Sequence, residues 1–106
     1  MGKNQINKSL KTFTRRVKQK LQPDQILLFG SFARGEANEY SDVDIIVVAK
    51  KLSEIPEEKR LDLLYDLTTD LRPDFHVFGF TPQEFENPNP LTSLSQIKKT
   101  AIPVLV

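Results

Sequence analysis

Two aspartates separated by one residue, Asp42 and Asp44, stand at the entrance of the most strand-like stretch of this chain, which runs from Val43 to Ala49. Residues two apart on a strand point to one face, so both carboxylates project together. Like charges at ~4 Å repel by about 4 kcal/mol at an effective dielectric of ~20. A divalent cation offsets that repulsion, and oxygen-only ligands on a rigid strand suit Mg²⁺ or Mn²⁺ rather than zinc. Alone, the pair also reads as a polar strand entrance that meets water. Upstream, Gly30-Ser31 follows the apolar run Ile26-Leu27-Leu28-Phe29 and opens a short helix. Glycine lets a phosphate approach the backbone closely, and the N–H groups of a helix start attract its charge. An ordinary turn is the plain alternative. Asp74 opens a later strand and joins the pair if that strand lies beside the second; otherwise it is a turn residue after Pro73.

The elements that must hold these residues follow from periodicity. Ile6, Leu10, Phe13, Val17 and Leu21 recur at steps of three and four, which predicts an amphipathic helix over residues 5–21, ended by Gln22-Pro23-Asp24. Ile26–Phe29 is a short buried strand, Phe32–Glu36 a short helix, and Ala37–Ser41 a polar turn. After the Lys50-Lys51 turn, Pro56 suits a helix start, and Leu61, Leu64, Leu67 and Leu71 supply an apolar stripe that ends at Pro73. Phe75–Phe80 is a third strand, with its phenylalanines and Phe85 expected in the core. Thr81-Pro82-Gln83-Glu84 has the pattern of a capping box, Asn87–Pro90 is a stiff loop, residues 92–99 a helix, and Ile102–Val106 a final strand. Lys98 and Lys99 read as a solvated helix end. The fold class is α/β (α+β): a small mixed sheet of about three or four strands with helices packed against it.

Composition narrows the classes. A chain of 106 residues, 39% hydrophobic, carries one modest core and so a single domain, 1–106. With no cysteine, disulfide frameworks and thiolate metal sites are excluded. No signal-peptide stretch or membrane-length run is present, which gives the expectation of a cytoplasmic protein with no membrane partner. The net charge of +1 is uneven, because residues 1–21 hold seven bases and no acid while 22–106 sum to −6. The basic helix is a solvated face or a surface for phosphates or an acidic partner. A nucleic-acid partner is disfavoured, since no recognition motif accompanies it. His76, the sole histidine, shares the parity of Asp74; a satisfied structural role is expected, with contact to the carboxylates as the other reading.

Order and spacing together carry a resemblance. The segment GSFARGEANEYSDVDIIVV, Gly30 to Val48, closely resembles the minimal nucleotidyltransferases of the DNA polymerase beta superfamily, and the wider likeness covers nearly the whole chain. The resemblance implies a nucleotidyltransferase fold and transfer of a nucleotide, AMP from ATP, to a hydroxyl. It implies that Gly30 and Ser31 grip the β- and γ-phosphates, with Arg34 supporting that loop or meeting a phosphate. Asp42 and Asp44 then share two Mg²⁺ ions (Mn²⁺ being the variant), and Asp74 is the third carboxylate, which activates the attacking hydroxyl. Tyr40 is a turn residue or a stacking partner for the nucleobase. Many stand-alone chains of this type are the antitoxins of toxin–antitoxin pairs and adenylylate a small helical partner of the HEPN class. Two other readings stay beside it: a catalytically silent subunit that neutralises its partner by contact, and a subunit acting on small molecules. One departure is that Asp74 leads into Phe75-His76-Val77 where a plainer aliphatic run is expected.

Overall fold

A computed structural model describes residues 3–37, 41–87 and 93–104. Its elements in chain order are α1 (Lys3–Leu21), β1 (Gln25–Phe29), α2 (Gly30–Arg34) and β2 (Val43–Val48), then a 3₁₀ turn (Lys50–Glu54) and α3 (Glu57–Asp66). They continue with β3 (Phe75–Phe80), α4 (Pro82–Glu86), α5 (Ser93–Thr100) and β4 (Ile102–Pro103). The sheet order is β3-β2-β1-β4. β1 pairs antiparallel with β2 and β4, whereas β2 and β3 are parallel. The mixed sheet follows from connection length: α3 supplies the crossover a parallel pair requires, and the shorter links leave antiparallel neighbours.

β2 is central, and its two parities face two separate cores. Val43, Ile45 and Val47 pack with Phe13, Val17 and Leu21 of α1, with Leu52 and Leu64, and with Phe75 and Val77 of β3. The rings of Phe13 and Phe75 sit 5.2 Å apart. Truncating a fully buried ring such as Phe13 costs about 3–5 kcal/mol in comparable cores. On the opposite face, Ile46 and Val48 pack with Leu27, Phe85 and Leu94. Asp44 has the parity of Ile46 and Val48, so it emerges on this second face, which α4 and α5 cover beside Ile46 and Val48.

Several elements depart from their sequence expectations. α2 begins at Gly30 rather than Phe32, and Lys50–Glu54 winds into a 3₁₀ turn around the buried Leu52. α3 ends at Asp66 although the leucine stripe continues. There the hydroxyls of Thr68 and Thr69 donate to the carbonyls of Tyr65 and Asp66 at 2.7 and 2.8 Å. Arg16 of α1 donates to the carbonyls of Leu67 and Thr69 at 3.1 and 2.8 Å. Side chains thus satisfy carbonyls at the helix end, and Leu67 and Leu71 still reach the core without helical backbone. Arg16 is accordingly a structural contact and not part of a free basic face. Lys98 is also engaged: it donates to the carbonyl of Phe85 at 2.7 Å and lies 4.6 Å from that ring's centroid, tying α5 to α4. Of the expected final strand, Ile102–Pro103 pairs with β1, while Leu105 and Val106 lie outside the described residues, as do Tyr40 and residues 88–92.

The capping box at α4 is present, with Thr81 N–H donating to Glu84 at 2.8 Å and Glu84 N–H donating to the Thr81 hydroxyl at 3.2 Å. Arg60 of α3 pairs with the same carboxylate at 2.9 Å and donates to the carbonyl of Leu52 at 3.0 Å. Hydrogen bonding from the Thr81 backbone, then the Arg60 guanidinium, holds Glu84 below its ordinary value of 4.5. A lowered folded value means stability is fully present above 4.5 and lost as pH falls through the lower value. Glu84→Gln is therefore expected to cost about 0.5–1 kcal/mol at neutral pH, solvent screening limiting a pair this open. Thermal melts at a series of pH values test this, because the difference should close below pH 4.5.

Candidate active site

The five-residue helix Gly30–Arg34 opens on Gly30 and is capped by Gly35, with φ of +74° and +73° at the two glycines. Both conformations lie in the left-handed region that L side chains rarely adopt. Gly35 ends the helix, its N–H reaching the carbonyl of Phe32, while Glu36 N–H donates to the carbonyl of Ser31 at 2.9 Å. At the other end Phe29 offers no side-chain cap, so the first-turn N–H groups have no such acceptor. Gly30 also lies directly against Asp44: a Cβ built there would collide with Asp44 Oδ2 and come within 3.0 Å of its Cγ. The antiparallel register, Phe29 opposite Asp44, creates this approach. The glycine turn and the carboxylate are therefore one constellation, although 13 residues separate Gly30 and Asp44 in the chain.

Asp42 and Asp44 both project on the second face, with side chains 39% and 23% exposed. Burial, together with the neighbouring Asp42 charge, holds the Asp44 carboxyl above its ordinary value of 3.8, against the opposing influence of His76 and Arg34. Arg34 is thus electrostatically coupled to Asp44, although its guanidinium is bound to Glu36 at 3.0 Å. Ser31 occupies the first turn of α2, beside Gly30.

Asp74 has the expected parity and its carbonyl accepts from Val43 N–H at 2.8 Å, so the starts of β2 and β3 are joined. Its carboxylate, however, turns outward to Arg72 at 3.1 Å and is largely exposed. The side chain that reaches the aspartate pair is His76, opposite Asp44 in the parallel register. Its Nε2 is 3.2 Å from Asp42 Oδ2 and its Nδ1 is 3.4 Å from Asp44 Oδ1. Of the two readings of His76, contact with the carboxylates is present: the register carries it to the aspartate pair, while Arg72 engages Asp74. These side chains touch rather than surround a gap, and among the described residues no three His, Asp or Glu side chains form a ready-made metal cage. The oxygen donors of Asp42 and Asp44 are nevertheless of the type that suits a hard divalent cation, and Asp44 lies against the Gly30 backbone.

Phe78 also departs from expectation. It is 44% exposed on the carboxylate face, its ring 5.9 Å from that of Phe29, whereas Phe75 and Phe85 are buried. Alternation along β3 was the signal available in the sequence, since Phe78 shares the parity of His76. A cleft of about 460 Å³ opens along the β3 edge, lined by Tyr65, Asp70, Arg72, Asp74 and His76 among others. No helix among the described residues is long and apolar enough to cross a membrane.

The chain is similar to known proteins over part or most of its length. Over 54 residues the chain is 50% identical to "Putative protein adenylyltransferase MJ1305" of Methanocaldococcus jannaschii, covering 49% of this chain and 37% of that one. Over 38 residues it is 40% identical to "Putative protein adenylyltransferase MJ0141" of the same organism, covering 36% and 38%. The matched stretches thus span little more than a third of either relative's length. Among solved structures, a "putative nucleotidyltransferase" from Sulfolobus solfataricus superposes with a TM-score of 0.62 at 19% identity, over 97% of this chain and 87% of that one. BolA1 from Arabidopsis thaliana superposes with a TM-score of 0.53 at 20% identity, over 72% and 94%. At these identities the two structures show a shared fold and nothing of chemistry, so the assignment rests on the sequence family. A model described as the nucleotidyltransferase domain matches residues 10–102, and with that span the chain belongs to the nucleotidyltransferase family.

Proposed function

We propose that this enzyme transfers AMP from ATP to a hydroxyl on a partner protein, using Mg²⁺ or Mn²⁺ held by Asp42 and Asp44. The observation that carries the reading is the contact between the Gly30 backbone and the Asp44 carboxylate. It sets the glycine turn that opens α2 directly against one of the proposed cation ligands, which supports a phosphate seat beside the cation. Gly30 and Ser31 would seat the terminal phosphates, with Arg34 close enough to share their charge. The cation, when bound, stabilises charge on the phosphate oxygens during displacement.

In the transfer itself, the acceptor oxygen bonds to the α-phosphorus, the bond from that phosphorus to the bridging oxygen breaks, and pyrophosphate leaves. The hydroxyl proton passes to solvent. An in-line displacement needs the acceptor on the side opposite the leaving group. Gly30 continues from β1 on one side of β2, and β3 lies on the other, so the acceptor belongs at the β3 edge. The cleft that Asp74 and Arg72 line opens there, which supports a role for Asp74 toward the acceptor. The names of the two adenylyltransferase relatives support a protein acceptor. A HEPN-class helical toxin is the partner we propose, this chain being its antitoxin in the cytoplasm.

Incubation with labelled ATP, Mg²⁺ and the product of the adjacent reading frame tests the reading. Label should appear on that protein and disappear with Asp42→Asn. Asp74→Ala should weaken use of the acceptor and leave triphosphate affinity unchanged. Label on a free sugar or alcohol alone would identify a small-molecule enzyme instead. A tight complex that never gains label would identify a subunit acting by contact.

A further inference from the structure

We propose that the outer surface of the helical layer formed by α1 and α3 binds a second copy of this chain, the basic stripe of α1 in one copy packing on the acidic stripe of α3 in the other. The two helices cover the same face of the sheet: Ile6, Phe13, Val17 and Leu21 of α1 and Leu64 of α3 share one core with Val43, Ile45 and Val47. Arg16 fixes α1 beside the end of α3, through the carbonyls of Leu67 and Thr69. Their outward surfaces carry opposite charge. Lys8, Lys11, Arg15 and Lys18 are exposed and recur at steps of three and four, with no acid in residues 1–21. Glu58, Asp62 and Asp66 are exposed at steps of four along α3. Of that helix's two bases, Arg60 turns inward to Glu84 and Lys59 is exposed at the flank of the stripe. Among the described residues, no side chain of either stripe forms an ion pair within the chain.

The apolar residues beside the acids say what kind of surface fits. Leu61 and Tyr65 border the acidic stripe, 50% and 40% exposed. Long basic side chains meet both needs, because their stems cover apolar surface while their heads reach carboxylates. An arginine such as Arg15 also stacks favourably on a tyrosine ring. The α1 stripe of a second copy thus supplies what the α3 stripe requires. Since both stripes lie on one layer, a single two-fold axis sets α1 on α3 and α3 on α1 together, which closes the contact as a dimer. Asp42 and Asp44 project on the opposite face of the sheet, so the pairing leaves them open and is independent of the chemistry proposed for them. Exposed ion pairs contribute little each, so the association is weak and sensitive to salt.

Sedimentation equilibrium tests the pairing. At low ionic strength the protein should have a mass twice the 12.1 kDa of one chain. At ~1 M salt, where screening acts within about 3 Å, it should fall to that of a single chain. Lys11→Glu with Arg15→Glu should weaken association at least ~10-fold, and so should Glu58→Lys with Asp62→Lys, since each turns attraction into like-charge contact. Mixing the two double variants restores opposite charges at both contacts between α1 and α3, and a dimer of one copy of each should return. All four positions are exposed, and circular dichroism should show both variants folded. A monomer at low ionic strength would overturn the pairing and leave the stripes to a different partner protein. A dimer that survives both reversals, or reversed variants that fail to pair when mixed, would overturn it equally.

Discussion

Asp44→Ala should lower nucleotide transfer by at least ~10²-fold, the scale of losing one principal electrostatic stabiliser of a transition state. Asp44 is the side chain on which the whole arrangement converges. It contacts His76, repels Asp42, feels Arg34 and lies against the backbone of Gly30. The isosteric Asp44→Asn should lose transfer similarly yet melt at a higher temperature than the unmodified protein when no cation is added. The sign follows from linkage. Burial, reinforced by Asp42, raises the folded value above 3.8, so the folded state binds this proton more tightly than the unfolded chain. Stability is then highest below 3.8, falls as pH rises through the raised value, and carries the full penalty at neutral pH. The stability gained by Asp44→Asn should accordingly be present at pH 7 and shrink toward zero below pH 3.8. Melting curves at both pH values and a labelled-ATP assay check the two halves separately. Near-normal transfer in Asp44→Ala would remove the residue from the chemistry, whatever its effect on stability.

Gly30→Ala should be nearly as damaging, for a steric reason. Its φ of +74° costs a non-glycine residue about 1–2 kcal/mol, before any contact is considered. The added methyl would also drive into the Asp44 carboxylate, displacing the group on which transfer depends. The two effects separate in a double-mutant cycle. In an Asp44→Ala background the carboxylate is gone, so Gly30→Ala should retain its backbone strain and shed the collision. A coupling of roughly 1 kcal/mol is expected, within the 0.5–3 kcal/mol that contacting residues show. Additivity within about 0.5 kcal/mol would mean that Gly30 and Asp44 do not touch. Transfer by Gly30→Ala should fall toward that of Asp44→Ala, while the double variant should be little worse than either alone.

What was legible before the tertiary structure was everything set by local periodicity. Period two along Val43–Val48 placed Asp42 and Asp44 on one face, and the step of three and four in Ile6, Leu10, Phe13, Val17 and Leu21 made α1. The Thr81 and Glu84 spacing gave the capped start of α4, and a short apolar run halted by Gly30 gave β1 and its turn. Each of these depends on neighbours a few residues apart, which is the range over which sequence alone carries structural information.

The remainder waited on register and on competition between distant groups. Asp74 and His76 share a parity, so the chain by itself could not say which of them reaches the aspartates. The parallel pairing of Asp44 with His76 and the capture of Asp74 by Arg72 decided it. Leucine spacing carried α3 too far, because Arg16, 51 residues from Leu67, supplies a donor that lets the chain leave the helix. Phe78 was expected in the core because it is a large apolar residue, yet its place on an edge strand beside the site leaves it half-open. The contact between Gly30 and Asp44 arises in the same way, from two strands that run antiparallel and bring the turn of one against the entrance of the other. Local chemistry thus determined which residues were able to act, whereas strand register determined which of them meet, since pairing energies depend on partners that sequence spacing does not specify.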